Sequence, residues 1–358
     1  MLLIIGDILE TSGSGGIYPA GLSVGVIREK APFAYQVIDG KLIEVECEFE
    51  LRKGQVKFHV GKYNPYVNLV IDPEIAFSTF IGSTANNFGF TACDDSQGNL
   101  ISGATVFADG YPITTGAFST ELNGIGSYDA AISKFNADGS QLLYSTYIGG
   151  SGNETPHSVV ADNADNFIVM GVTGSDDYPT TSGAFQENFN GGPFLDMFQF
   201  FVGDHNDGCD LFIAKFNPDG TLSSSTFVGG SNNDGLNYGD QLYYNYGDSF
   251  RGEVNIDDAN NIFVASVTES ADFPIAGNGP QSSFGGGSFD GVVFKMNPSL
   301  SSVLWGTFVG GSSDDAAYAI EFRNDGALVI AGGTRSSNFP LISGGVDMSH
   351  NGQTDGYI

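Results

Sequence analysis

The chain has 358 residues, of which 13 are Lys or Arg and 42 are Asp or Glu, so its formal net charge is −29. This negative charge excludes nucleic acid as a partner, because a phosphate backbone would be repelled. The aromatic content of 13% excludes a disordered acidic tail. A chain with 51 Gly, 29 Phe and 15 Tyr is typical of many short strands joined by tight turns.

The chain contains no long apolar segment. No apolar run approaches 18 residues, so we expect no membrane span. Residues 1–5 are apolar, but this run is too short for a signal-peptide core, and we expect that an export signal either was removed or lies outside this chain. Cys47, Cys93 and Cys209 are far apart and odd in number, which predicts buried apolar side chains and neither a disulfide framework nor a metal cluster.

Residues 1–75 are predicted to form a small β-rich N-terminal domain. Between residues 43 and 51, apolar side chains alternate with Glu, which indicates one strand with a buried face and an exposed face. After a turn at residues 52–55, apolar side chains alternate with Lys57 and His59. We therefore expect opposite charges to face each other across a hairpin.

A repeat organises residues 76–358. Ser78-Thr79-Phe80-Ile81-Gly82 returns in closely similar form at residues 145–150, 225–230 and 306–311. A Tyr-Pro or Phe-Pro dipeptide and an Asp that opens an apolar stretch recur in the same order. These landmarks place the repeat units at about residues 77–144, 145–224, 225–305 and 306–358, with the last unit incomplete.

Each unit is predicted to contain four antiparallel strands, of which the Ser-Thr segment is the first. Clusters of Asp, Asn and Gly, such as Asn217-Pro218-Asp219-Gly220, mark tight turns between strands. Radial repetition of four-stranded units indicates a β-propeller. The predicted fold is therefore all-β, with about three complete blades and a truncated fourth after the N-terminal domain. The alternative is a β-sandwich with an internal duplication.

These landmarks resemble the SBBP-type bacterial β-propeller repeat over residues 77–358, and residues 32–75 resemble the β-rich domain that often precedes such repeats. The resemblance implies part of a larger bacterial protein that is secreted or displayed on the outer cell surface. It supplies no catalytic motif. The chain ends within a strand of the fourth unit, which indicates a piece of a longer ring. A four-bladed ring closed by a strand near residues 77–81 is the alternative.

Two insertions interrupt the repeat. Residues 192–208 lie in the loop from strand three to strand four of unit two, and residues 232–251 lie in the loop from strand one to strand two of unit three. Because these loops share one face of a propeller, we expect the two insertions to lie close together. Since Tyr has a flat apolar body and a polar tip, the second insertion predicts a ligand-binding surface formed by Tyr238, Tyr243, Tyr244, Tyr246 and Phe250. The alternative is local packing, which is favoured for the first insertion with its Phe194, Met197, Phe198, Phe200 and Phe201.

The sequence does not identify a catalytic centre or a cofactor. It contains no His-Glu-x-x-His motif, nucleophile elbow or Walker loop, and Gly285-Gly286-Gly287 is predicted as a flexible loop because no helix pattern follows it. Acidic pairs could ligate calcium through their oxygens, but they lack a known calcium-binding spacing, so we interpret them as turn-forming residues. These pairs are Asp94-Asp95, Asp176-Asp177, Asp257-Asp258 and Asp314-Asp315.

These features favour a non-catalytic secreted or cell-surface module that binds or displays a protein or a polysaccharide. The alternative is a polysaccharide-active hydrolase or lyase domain. Paired carboxylates for such chemistry meet in space and need no sequence motif, so the sequence alone does not identify such a pair among 42 acidic residues.

Overall fold

The computed structural model describes residues 9–11, 17–19, 32–38, 40–52, 55–72, 78–123, 128–196, 204–238, 242, 248–323, 325–341 and 345–358. The chain divides into two compact units, Met1–Thr79 and Phe80–Ile358. Among the described residues the only helix is a single 3-10 turn at Asp248–Phe250. The prediction of an all-β fold is confirmed.

Within its described residues, the first unit contains three small antiparallel sheets. Their strands are β1 (Leu9–Thr11) paired with β2 (Ile17–Pro19), β3 (Phe33–Ile38) between β4 (Lys41–Val45) and β7 (Leu69–Asp72), and β5 (Cys47–Arg52) paired with β6 (Gln55–Val60). Ala34, Val45 and Cys47 form the buried core. Buried Gln36 donates from Nε2 to the carbonyls of Asn64 and Val67, both at 2.8 Å, so its amide ties the loop before β7 to β3.

The strand predicted for residues 43–51 is broken at Glu46. The carbonyl of Glu46 accepts a hydrogen bond from Gly61 N at 2.7 Å, and the chain changes its pairing partner there from β3 to β6. Beyond the break, Glu48 pairs with His59 and Glu50 pairs with Lys57. The predicted hairpin register, with acidic residues opposite His59 and Lys57, is therefore confirmed.

The described residues of the second unit form four consecutive antiparallel sheets, each a meander in chain order. The first sheet comprises β8 (Asn87–Asp94), β9 (Leu100–Val106), β10 (Asp129–Phe135) and β11 (Leu142–Ile148). The second comprises β12 (Glu154–Ala161), β13 (Phe167–Thr173), β14 (Asp210–Phe216) and β15 (Leu222–Val228). The third comprises β16 (Glu253–Ile256), β17 (Ile262–Thr268), β18 (Asp290–Met296) and β19 (Val303–Val309), and the fourth comprises β20 (Asp315–Phe322), β21 (Leu328–Thr334) and β22 (Asp355–Tyr357).

The repeated segment that contains Thr146, Thr226 or Thr307 closes each of the first three sheets, as β11, β15 and β19. In β11 and β15 it pairs with the strand that precedes it, so that Thr146 lies opposite Ile132 and Thr226 lies opposite Ile213. The prediction that this segment opens the next sheet is wrong by one strand. The physical reason is turn length, because a turn as short as residues 217–221 can join only neighbouring antiparallel strands.

The second insertion lies within the first strand of the third sheet. Asp234 bridges Thr268 in the same way that Glu154 pairs with Thr173 in the second sheet, and the ladder resumes only at Glu253. At the position that corresponds to the insertion, the first strand of each of the other three sheets has a one-residue irregularity of register. The insertion is thus an enlarged bulge, and its predicted place in a loop between two strands is wrong.

Consecutive sheets of the second unit pack face to face. One buried cluster joins the first and second sheets through residues such as Ile132 and Phe167, and another joins the second and third through Met170 and Val264. A third cluster, which includes Ala317, joins the third and fourth sheets. The first strands also contact one another in chain order, β8 with β12, β12 with β16 and β16 with β20.

Candidate functional site

The long connections of the second unit lie at one end of its sheets. In an antiparallel meander, alternate connections share an end. The links between sheets and the loops from second to third strand therefore lie together at what we call the loop end. The tight turns lie at the opposite end, which we call the turn end. Loops on a rigid scaffold are where binding residues concentrate, so the loop end is the candidate functional site.

A polar junction recurs at the loop end wherever one sheet passes to the next. Junction one comprises residues 149–154, junction two residues 229–234 and junction three residues 310–315. In each, the second glycine of a Gly-Gly pair donates its N–H to an acidic side chain four residues later, at 3.1, 2.7 and 2.6 Å. That acid also accepts a hydroxyl hydrogen bond from a serine of the following sheet, as in Ser270 to Asp234 at 2.9 Å.

Each junction also brings two carboxyl groups together. The first glycine of the pair packs against both, so that an added methyl group on Gly149 would lie 2.8 Å from Asp129 Oδ1 and would also meet Glu154. Burial, with repulsion from Glu154, raises the pKa of Asp129 to about 8, and burial raises the pKa of Glu154 to about 7. The pair at junction one therefore retains a proton near neutral pH.

The same arrangement recurs at the other two junctions. Asp210 faces Asp234 across Gly229, and Asp290 faces Asp315 across Gly310. Burial raises the pKa of Asp210 and that of Asp290 to about 7 and raises the pKa of Asp234 well above its usual range. These carboxyl groups hold the sheets together and are enclosed by protein.

The first insertion fills junction one. His205 is 1% exposed and its ring packs directly on Gly174, where any side chain would collide with it. Leu195 and His205 form an isolated bridge across the insertion, with backbone hydrogen bonds of 2.9 and 3.0 Å. Burial lowers the pKa of His205 to about 4, so the ring that closes this junction is neutral at pH 7.

The second insertion fills junction two. Glu269 occupies the position that corresponds to Gly174, immediately after the repeated Thr. Asn233 Nδ2 donates to Glu269 Oε2 and to the Tyr238 hydroxyl, both at 3.1 Å. The Tyr238 ring packs edge-on against Phe289 with a centroid separation of 4.9 Å. The Tyr238 side chain thus covers, at junction two, the position that His205 covers at junction one.

In the part of the chain that the structure describes, junction three is open and forms a cavity of about 670 Å³, which is within the size range of small-molecule sites. Arg335 occupies the position of Gly174 and Glu269, and its Nη1 lies 3.1 Å from Asp314 Oδ2. Asp314 Oδ1 accepts the N–H of Ser288 at 2.7 Å. The cavity lining is Gly287, Ser312, Ser313, Asp314, Arg335, Ser337, His350, Gly352 and Gln353.

The three consecutive glycines at residues 285–287 form one wall of this cavity. Gly287 has φ of 70°, and an added methyl group would lie 2.7 Å from Asp314 Oδ1. Glycine is needed here because the 310–314 segment approaches the backbone closely. The predicted flexible loop is therefore a closely packed wall.

The two insertions lie close together, as the sequence predicts. Leu195 of the first and Leu236 and Phe250 of the second share one buried cluster. Phe250 is 4% exposed and packs against Phe90 of β8 and His157 of β12, with centroid separations of 5.5 and 6.1 Å. Phe250 is therefore used in packing between sheets.

The second insertion also reaches the fourth sheet. The Tyr318 hydroxyl donates to the carbonyl of Leu242 at 2.8 Å and accepts from Asn237 Nδ2 at 2.7 Å. Phe90, His157 and Tyr318 stand at the register irregularities of β8, β12 and β20. The bulges of three different sheets thus direct a side chain onto the same insertion.

Of the predicted ligand-binding residues, Tyr238 is half-buried and Phe250 is buried. Tyr243, Tyr244 and Tyr246 lie outside the described residues, so their role in binding stays a prediction. In the first insertion Phe194 is exposed, whereas Met197, Phe198, Phe200 and Phe201 also lie outside the described residues.

The acidic pairs proposed as turn-forming residues contribute to turns and junctions. Asp257 accepts the backbone N–H of Asn261 at 2.8 Å, and Asp177 accepts that of Ser151 at 2.6 Å. Asp314 pairs with Arg335. Within the part of the chain that the structure describes, no group of three or more His, Cys, Asp or Glu side chains is arranged to hold a metal ion.

The cavity residues Arg335 and His350 were not among the residues that the sequence singled out. Aligning the repeated Thr173, Thr268 and Thr334 would have drawn attention to Arg335, because the residue that follows is Gly, Glu and Arg in turn. The open junction itself leaves no sequence signal, since it depends on how insertions elsewhere in the chain fold back.

Comparisons with known proteins give a partial match. A family described as "Domain of unknown function (DUF7948)" matches residues 16–74. No curated protein matches the chain. A protein of unknown function from Dyadobacter fermentans DSM 18053 is 9% identical, with a TM-score of 0.37 over 94% of this chain and 81% of that one. Rhamnogalacturonan lyase YesW is 11% identical, with a TM-score of 0.34 over 91% of this chain and 58% of that one. At these TM-scores neither solved structure carries an argument about activity.

In the described part of the chain, we find no helix with the length and apolar character needed to cross a membrane.

Proposed function

We propose that the second unit is a β-propeller of the SBBP repeat type and serves as a non-catalytic binding module. Three observations support the propeller. The first strands contact one another in chain order, buried clusters join each pair of consecutive sheets, and one insertion contacts Phe90, His157 and Tyr318 on the first strands of three sheets. Together they support an arrangement of the first strands around a common centre, which is the arrangement of a propeller.

The binding surface in this proposal is the loop end, and the partner is a protein or a polysaccharide at a bacterial cell surface or outside the cell. The observation that carries the proposal is the open junction three, which presents charged and polar side chains around a cavity of about 670 Å³. Elsewhere at the loop end, long insertions are anchored to the sheets by Leu195, Leu236 and Phe250. A rigid scaffold with anchored loops is suited to recognition.

The test is a binding assay on the intact chain. Fluorescently labelled chain is applied to bacterial cells and to immobilised glycans and surface proteins, and the double variant Tyr243→Ser, Tyr244→Ser is compared with the wild type. Saturable binding is the expected result. An absence of saturable binding to all three surfaces would refute the proposed module, whereas equal binding by the double variant would exclude only the tyrosines.

Cleavage of a polysaccharide is the second candidate, and one observation favours it. Arg335, His350 and Asp314 line a single cavity, and such a combination can serve acid–base chemistry. Against it, Asp314 already accepts hydrogen bonds from Arg335 and Ser288. Incubation of the chain with neutral and uronic-acid polysaccharides, followed by measurement of new reducing ends and of unsaturated products, separates the two candidates.

A further inference from the structure

We propose that the cavity at junction three binds a neutral saccharide residue, an inference that rests on the binding function proposed above and names its ligand. The cavity lies at a position that has an equivalent at each of the other two junctions. At junction one His205 covers Gly174, and at junction two Tyr238 reaches the Asn233–Glu269 pair. At junction three the corresponding residues are Asp314 and Arg335, and a cavity remains.

The polar groups of the cavity match the hydroxyl groups of a sugar. Arg335 supplies N–H donors and Asp314 supplies acceptor oxygens, and these two side chains lie side by side at 3.1 Å. A pair of neighbouring sugar hydroxyls can donate to the carboxylate while accepting from the guanidinium. Ser312, Ser337 and Gln353, which also line the cavity, can each donate and accept.

His350 supplies a further polar group. It lines the cavity, and its buried Nε2 atom has no hydrogen-bond partner among the described residues. A buried polar atom without a partner costs free energy, so a ligand hydroxyl or a bound water that reached this atom would be stabilising. This supports a ligand rich in hydrogen-bonding groups.

The charge of the site favours a neutral sugar over an acidic one. The positive charge of Arg335 is balanced by Asp314 at short distance. The chain as a whole carries a formal charge of −29, which repels anions at long range. A uronic acid or a sulfated sugar would therefore approach a negative protein and meet, in Arg335, a cation that Asp314 already compensates.

The experiment uses the full chain and two matched tryptophan variants. Ser337→Trp places a large side chain in the cavity from an exposed position. Ala271→Trp makes the same change at the exposed, corresponding position of junction two. Wild type is first applied to an array of neutral and uronic-acid-containing oligosaccharides, and each bound oligosaccharide is then titrated calorimetrically into all three proteins and into Gln353→Ala.

We expect wild type to bind at least one neutral oligosaccharide, with an affinity that falls at least tenfold in Ser337→Trp, falls in Gln353→Ala and is unchanged in Ala271→Trp. Neutral oligosaccharides that bind Ser337→Trp as tightly as wild type would overturn the cavity as the site, while the binding function would stand. Binding of acidic oligosaccharides alone, or of none, would overturn the ligand class. In that case the cell and protein arms of the earlier assay decide whether the binding function survives.

Discussion

Lys215 and Asp162 form a buried ion pair at the turn end of the second sheet. Lys215 Nζ lies 2.8 Å from Asp162 Oδ2, and the two side chains are 11% and 1% exposed. The same carboxylate closes the turn by accepting the N–H groups of Ala164 and Asn166. Burial opposes its charged form, but the hydrogen bonds from Lys215 and Asn166 outweigh burial and lower the pKa of Asp162. One carboxylate thus fixes both a turn and the third strand.

Removing the lysine should destabilise the chain strongly. We expect Lys215→Met to lower the free energy of unfolding by about 3–5 kcal/mol, because it leaves Asp162 buried without its counter-ion. Urea unfolding followed by far-UV circular dichroism measures the change. As a control, Asp325→Asn removes the partner of Arg323 in a pair whose side chains are 55% and 63% exposed, and it should cost no more than about 1 kcal/mol. Equal losses in the two variants would contradict the role of burial.

Phe250 should be a structural anchor of the second insertion. We expect Phe250→Ala to lower the free energy of unfolding by about 3–5 kcal/mol, because the ring packs between Phe90 and His157. The matched control is Phe194→Ala, since Phe194 is 58% exposed and should lose little stability. Thermal unfolding measures both variants. A Phe250→Ala protein as stable as wild type would show that the insertion is held elsewhere.

Much of the fold was predictable because it depends on local sequence. Alternation predicted strands at residues 43–51 and after the turn at residues 52–55, although the first of them is broken at Glu46, and the Asp-rich and Asn-rich turns predicted where strands end. The Ser-Thr segment did not show which four strands form one sheet. It marks the border between two sheets, but it does not identify the strand with which it pairs. The length of the turn at residues 217–221 decides the pairing, and this length becomes informative only when it is compared with the longer Gly-Gly link.

The candidate site was less predictable. The sequence pointed to the loop end through the two insertions, and Leu195, Leu236 and Phe250 do meet there. It did not show that the second insertion enlarges a bulge within a strand, since a bulge depends on pairing with β17. Nor did it indicate that junction three stays open. His205 and Tyr238 cover the corresponding positions at junctions one and two, and this difference depends on how the two insertions fold back.

His205 should be replaceable by an apolar residue. Neither ring nitrogen has a hydrogen-bond partner among the described residues, and burial lowers the pKa of His205 to about 4. We expect His205→Leu to be as stable as wild type at pH 7, or more stable by about 1–3 kcal/mol. A loss of stability at pH 7 would show that the ring makes a specific contact at junction one.

The advantage of His205→Leu should grow as the pH falls. The pKa of the folded-state histidine lies below its unfolded value of 6.5, so its contribution to stability is present above that value and is lost as the pH falls toward about 4. Thermal unfolding at about pH 7 and about pH 5 tests this. A constant difference between the two proteins would show that His205 titrates alike in both states.

The junction carboxyl pairs predict that stability falls as the pH rises through neutrality. Burial raises the folded-state pKa of Asp129, Glu154, Asp210 and Asp290 into the range of about 7 to 8. Between the unfolded and folded pKa values the folded state therefore binds more protons than the unfolded state. Each such group favours folding at lower pH, and its stabilising effect is lost as the pH rises through its folded-state pKa. The buried histidines oppose this trend below pH 6.5, so the fall should be steepest above that value.

The measurement is the urea midpoint of wild type, Asp129→Asn and Asp138→Asn between about pH 5.5 and about pH 8.5. Asp129→Asn keeps a neutral side chain at junction one, so its midpoint should fall less with pH and should equal or exceed that of wild type at the alkaline end. Asp138 is fully exposed in a tight turn, where hydrogen bonds from Ser140 lower its pKa, and its substitution should leave the slope between these pH values unchanged. A wild-type midpoint that stays level or rises with pH would show that the junction carboxyl groups are ionised in the folded state.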